Sequence, residues 1–160
     1  SPCCHPATPI HVMDLYLVIG NPNTRRASLI RSLSGCFNRS MRDIELLSGK
    51  STLKLYERVG SLQETRTRPE DFVAEVVATR CNAVLCCVAP SESPTAPALY
   101  PSAVAYLDHF VAQGWSIRGV AALGQNSGGV RAQALEHFPQ AGVAPINVTA
   151  AAVRKHFGWR

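Results

Sequence analysis

Short apolar runs set apart by stretches of helical period constrain this chain more than any other feature. The runs NAVLCCVA (82–89) and IRGVAAL (117–123) are almost unbroken by polar residues. That is the pattern of strands covered on both faces, as in the middle of a parallel sheet. Further runs lie at Leu15–Ile19, Ile44–Leu47, Leu53–Tyr56 and Pro145–Val148, and the strand within the first run is expected at Ala83–Ala89. Between them fall helical patterns at Ala27–Leu33, Pro69–Thr79, Ser102–Gln113, Val130–Phe138 and Ala150–Phe157. Such alternation predicts right-handed crossovers and an α/β fold around a mostly parallel central sheet of about six strands. Pro69, Glu70 and Asp71 make a good helix start, because proline suits the first turn and acids suit the positive end of the dipole. Gly114 is placed to end the preceding helix. The spacing of Tyr100, Tyr106 and Phe110 reads as the core stripe of that helix.

A length of 160 residues points to one domain. We expect an N-terminal arm over residues 1–13, where prolines are frequent and periodicity is absent, and a single domain over 14–160. With 46% hydrophobic and 17% charged residues the chain is no disordered polyelectrolyte. No apolar run approaches the ~18 residues of a membrane helix, so no membrane role is expected. Sixteen basic against eleven acidic residues give a net charge of +5, which permits an anionic partner without demanding one. The aromatic interleaving of a nucleic-acid stacking surface is missing. Six cysteines occur, yet Cys3–Cys4 and Cys86–Cys87 are adjacent pairs, and the second pair sits in an apolar run where cysteine acts as a small hydrophobe. A reducing cytoplasmic setting follows. Cys3, Cys4, His5 and His11 lack the C-x2-C spacing of a zinc site, so no metal is expected there. Cys36 has no histidine near it in sequence, and no G-x-S-x-G elbow occurs. The stretch Ser91–Pro97 reads as a surface loop.

Ligands of parallel sheets gather beyond the carboxyl ends of the strands, so the segment after each run carries the most information. The first strand is followed by GNPNTRRASLIRSLSG (20–35). Its length fits a phosphate loop of the form G-x-x-x-x-G-K-[ST], in which backbone amides wrap the phosphates and a helix N-terminus adds its pull. As a string it resembles the loop of small GTPases of the translation-factor-related class, which read G-x-P-N-V-G-K-S-S-L-I-N-x-L-x-G. The likeness runs through Gly20, Pro22, Asn23, Ser28, Leu29, Ile30, Leu33 and Gly35. GKSTLKLYERVGSLQET (49–65) resembles the switch region, with Glu57-Arg58-Val59-Gly60 where D-x-x-G would stand. IRGVAALGQNSG resembles the strand bearing the [NT]-K-x-D guanine motif. QAGVAPINVTAA resembles the last strand, Thr149–Ala150 taking the S-A places. Order and spacing look most like the EutP/PduV small GTPases, which carry a G-x-x-x-E segment (here Gly60 to Glu64) and an A-G before the last strand (here Ala141–Gly142).

The resemblance implies a three-layer α/β/α small-GTPase-like fold. It also implies a degenerate phosphate loop at Gly20, Asn23, Thr24, Arg25, Arg26, Ala27 and Ser28, a degenerate switch at Glu57 and Gly60, and a degenerate base site at Gln125, Ser127, Thr149 and Ala150. Arg25 adds bulk where a glycine lets the backbone curl. Arg26 keeps a charge but not the shape of the lysine ammonium. Ala27 removes the magnesium hydroxyl, and Ser28, one position on, lies on another side of the helix. Glu57 is a carboxylate one methylene longer than the aspartate of the motif. Ser127 cannot supply the carboxylate that reads guanine. Phosphoryl transfer needs positioned magnesium and charge stabilisation together. The expectation is therefore a pseudo-GTPase, catalytically inactive and without a resident cofactor, GTP and magnesium being weakly held at most, that acts as an interaction or assembly module in a larger complex. Two rival expectations are an atypical NTP-binding protein with weak hydrolysis, associated with a microcompartment, and a basic RNA- or ribosome-associated accessory. Arginines at a helix start oppose the dipole, which marks Arg25 and Arg26 as candidates for an anionic ligand or RNA.

Overall fold

The computed structural model describes residues 13–21, 24–34, 39–45 and 52–159; the expected arm lies outside the described residues except for Met13. The elements are β1 (Asp14–Ile19), α1 (Arg26–Ser34), β2 (Arg39–Glu45), β3 (Thr52–Arg58), α2 (Pro69–Thr79), β4 (Ala83–Val88), α3 (Ala103–Ala112), β5 (Ser116–Leu123), β6 (Leu135–Phe138) and α4 (Ile146–Phe157). Six strands form one mixed sheet in the order β2-β3-β4-β1-β5-β6. Only the β2–β3 pair is antiparallel; the other four pairs are parallel.

Side chains that alternate along β1 divide the core in two. Leu15, Leu17 and Ile19 join Val84, Cys86 and Val88 of β4 in a cluster with Phe72 and Val76 of α2 and Tyr106, Leu107 and Phe110 of α3. Tyr16 and Val18 join Ala83, Leu85 and Cys87 in a second cluster with Leu29, Ile30 and Leu33 of α1 and Val153 and Phe157 of α4. Both strands are buried on both faces, which is why they read as continuous apolar runs. α2 begins at Pro69 with Glu70 and Asp71 in its first turn, and Gly114 takes a left-handed conformation (φ 88°) after α3.

Two expectations near the carboxyl end fail. Val130–Phe138 is not a helix: Gly128 (φ 63°) and Gly129 (φ 84°) turn the chain left-handed, and Leu135–Phe138 pairs along β5 as an edge strand. Tertiary pairing here overrides the helix-forming character of RAQALEH. Pro145–Val148 is not a strand but the start of α4, with Val148 N–H donating to Pro145 O at 3.0 Å. The fixed φ of proline suits a helix entry, and the buried positions Ala150, Val153 and Phe157 give the segment a helical stripe that outweighs its β-branched residues. The strand expected at Ile44–Leu47 is β2, which begins earlier, at Arg39; residues 46–47 lie outside the described residues.

Candidate functional site

Neighbouring parallel strands β1 and β4 send the chain to opposite faces of the sheet. After β1 the chain enters α1, whose apolar residues join the second cluster, and after β4 it reaches α3, whose residues join the first. Crevices form beyond the carboxyl ends of strands at such a reversal.

The loop after β1 lies at this point. Gly20 N–H continues the β1–β4 ladder by donating to Val88 O (3.1 Å), and a Cβ at Gly20 would stand 2.5 Å from Thr24 Oγ1. Thr24 closes a tight turn, its hydroxyl donating to Asn21 O at 2.6 Å. Asn23 lies outside the described residues. Arg25 adopts φ 60°, a conformation that favours glycine, and its guanidinium donates to Ala141 O (2.7 Å) and Ala144 O on the approach to α4. Arg26 is 4% exposed. Its Nη1 donates to Gly20 O at 2.6 Å, and its Nη2 donates to Ser61 Oγ (3.3 Å) and to the Glu64 carboxylate. Both arginines are thus hydrogen-bonded within the chain. Ala27 packs against the second cluster, and Ser28 is exposed.

The segment after β3 is tied at every step. Glu57 is fully buried on β3, and Arg58 is 4% exposed, donating to Glu75 (3.2 Å) and to Thr65 Oγ1 (2.7 Å). At Gly60 a Cβ would meet Thr65 Cγ2 at 2.7 Å. Gln63 spends both ends of its amide: Nε2 donates to Ala89 O (3.0 Å) and Pro101 O (3.1 Å), and Oε1 accepts from Ala89 N–H (2.9 Å). Tyr106 O–H donates to Thr67 O at 2.6 Å. These bonds fix the loop to β4 and α3.

Beyond β5, Gln125 is exposed and Ser127 half-buried. Their loop is held by Gly128, whose Cβ would strike Pro90 O at 2.5 Å. Thr149 and Ala150 are buried inside α4, not in a loop after a strand.

A cavity of about 210 Å³ opens at the reversal, lined by Arg26, Ser61, Gln63, Glu64, Ala89, Ser91, Glu92, Ser93 and Pro94. Arg26 is the one expected site residue among them. Glu64 entered the reading as the end of a G-x-x-x-E segment in the switch-like stretch 49–65, and Ser91–Pro97 as a surface loop. The rule that ligands collect beyond strand ends was the signal that could have found them.

Compared with protein-family models, with curated proteins and with solved structures, the chain matches none significantly. The chemistry of the site must be read from its own groups. A magnesium-bound nucleotide needs a free cation and a hydroxyl beside the helix start. The Arg26 donors already serve Gly20, Ser61 and Glu64, Ala27 carries no oxygen, and Glu57 is enclosed, so the residues present do not fit that ligand. Among the described residues no group of three or more His, Cys, Asp or Glu side chains could hold a metal ion. Burial pushes the Cys87 thiol up to about 12, which leaves it without thiolate character at neutral pH. No helix among the described residues is long and apolar enough to cross a membrane.

Proposed function

We propose that this chain is a nucleotide-free interaction module, a pseudo-GTPase in the sense implied by its resemblance to small GTPases and by a three-layer small-GTPase-like arrangement. The observation that carries the proposal is the burial of the Arg26 guanidinium against Gly20 O, Ser61 and Glu64, where a phosphate-binding loop would keep room for its ligand. A second support is the tethering of residues 58–67 to β4, α2 and α3. A switch that answers to nucleotide must be free to rearrange. The protein acts by presenting a fixed surface to a protein partner, not by turning over a substrate.

Titration of fluorescent GTP, GDP and ATP in the presence of magnesium tests this reading. No saturable binding is expected, together with phosphate release at the buffer rate. Micromolar, guanine-selective binding would overturn it, as would hydrolysis abolished by Arg26→Ala or Glu57→Gln.

A further inference from the structure

The imidazole of His156 meets oxygen on both sides. It stands in the last turn of α4 and is 17% exposed. Its Nε2 lies 2.6 Å from Ala134 O and 3.2 Å from Val120 O, and its Nδ1 lies 3.0 Å from Glu136 Oε2. Carbonyl and carboxylate oxygens accept hydrogen bonds and do not donate them, whereas a neutral imidazole carries a single N–H. With that hydrogen on Nε2, the Nδ1 lone pair faces the Glu136 carboxylate; with it on Nδ1, the Nε2 lone pair faces two carbonyls. The imidazolium alone offers a hydrogen to both sides. These oxygens sit where β6 begins. Ala134 O also accepts from Val120 N–H at 3.0 Å, and Leu135 N–H donates to Ala132 O at 3.1 Å in the turn that feeds the strand. His156 reaches them because α4 lies close on β5, where a Cβ at Gly119 would stand 2.4 Å from Phe157 Cδ1.

We propose that His156 is a proton-operated clasp, which holds the edge strand β6 to the sheet when charged and lets it loosen when neutral. β6 has little else to hold it. It is four residues long, pairs with β5 alone, and none of its residues is fully buried. The groups that face or flank the ring come from three elements. β6 brings Glu136, 55% exposed, and His137, whose Nδ1 lies 3.2 Å from Gly124 O. β5 brings Arg118, which pairs with Asp14 at 3.0 Å. α4 itself brings Lys155 and Arg154, the latter donating to Leu33 O, and Arg131 lies in the segment before β6. The rings of Phe138 and Phe157 stand against the imidazole with centroids 6.0 and 5.9 Å away. Imidazoles ordinarily give up their second proton between about pH 5 and 8. As pH rises through that range one side of the ring is left with a lone pair against oxygen, so β6 is held at the acid end and loosens toward the alkaline end. This goes beyond the proposed function and does not rest on it.

The test is amide hydrogen exchange followed by NMR on the intact chain, corrected for the intrinsic rate at each pH, between about pH 5.5 and 8. The amides of Val120, Leu135 and Gly124, the last donating to Phe138 O at 3.0 Å, are expected to lose about tenfold in protection across that range. That is the equivalent of ~1.4 kcal/mol, close to the worth of one hydrogen bond to a charged group. Gly20 N–H, in the β1–β4 ladder, is expected to keep its protection. Long-range nitrogen–proton spectra of the His156 ring are expected to show both nitrogens protonated where β6 is protected and one where it is not. Two variants separate the clasp from a merely structural contact. His156→Gln is expected to lose the pH dependence with β6 poorly protected throughout. Glu136→Gln, at an exposed position, is expected to lose it with β6 protected throughout, because a neutral ring can then donate from Nε2 to the carbonyls and accept at Nδ1 from the new amide. His137→Gln is expected to leave the pH dependence in place. Protection unchanged across the range in the unaltered chain, a decline that persists in His156→Gln or Glu136→Gln, or an equal decline at Gly20 would overturn the inference. Nucleotide binding would defeat the proposed function and leave this result standing.

Discussion

Replacing Arg26 by methionine removes the guanidinium while keeping most of the volume of the side chain, and its cost follows from what each partner does next. Gly20 O accepts from Nη1 at 2.6 Å and lies at the end of a strand buried on both faces; with methionine it loses its donor. Ser61 Oγ keeps one partner, since Glu64 N–H donates to it at 3.2 Å. Glu64, 54% exposed, is rehydrated. One stranded acceptor and one lost charge-assisted bond cost about 2–4 kcal/mol. In Glu64→Gln the guanidinium keeps Gly20 O, Ser61 Oγ and an amide oxygen, and solvent reaches it from the cavity. That change costs about 1–2 kcal/mol, more than a surface pair because Arg26 is buried and less than the rupture of a fully buried one. Urea unfolding with a common m-value measures both, and thermal melts give an independent check at roughly 2–4 °C per kcal/mol for a domain of this size. The expected order is Arg26→Met well below Glu64→Gln in stability, with Arg26→Lys between them because an ammonium cannot span all three acceptors. An Arg26→Met variant within about 0.5 kcal/mol of wild type, or one no worse than Glu64→Gln, would show that the guanidinium does not close the loop.

Alkaline pH should loosen the fold through its buried thiols. Burial raises Cys87 from 9.0 to about 12 and raises Cys86 further, so the native chain holds protons that the unfolded chain releases. Stability is then complete below pH ~9 and falls as pH rises toward 12, by about 1.4 kcal/mol per pH unit for each thiol; Tyr106, also raised chiefly by burial, adds to the fall above pH ~10. Urea titrations at stepped pH check this, and a flat profile between pH 9 and 11, or a slope unchanged in Cys87→Ala, would contradict it. Gly119→Ala should lose about 1–3 kcal/mol, because a Cβ there would lie 2.4 Å from Phe157 Cδ1. Adding Phe157→Leu should cost less in that background than alone, and strict additivity in the double-mutant cycle would contradict the clash.

The legible parts of the fold are those whose signal is local. α2 is expected at Pro69–Thr79 and found there, because a proline, two acids and a periodic apolar face all lie within its own residues. β1 and β4 are legible because burial on both faces writes itself as an uninterrupted apolar run. β6 is not, since LEHF has no strand pattern of its own and becomes one by lying along β5 after two left-handed glycines. α4 begins four residues before the helix expected at Ala150, at Ile146, because β-branched residues behind a proline read as strand until Val153 and Phe157 are known to face the core.

The site divides along the same line. That Arg25 and Arg26 are unusual is visible in sequence, since positive charge at a helix start opposes the dipole. What answers them is not, because the acceptors arrive from Gly20, from Glu64 thirty-eight residues on, and from Ala141 and Ala144 more than a hundred residues on. Through those acceptors the two arginines anchor the chain's own loops to one another. The groups left facing the cavity are carboxylates and hydroxyls drawn from a stretch that resembles a switch region and from one that reads as a surface loop.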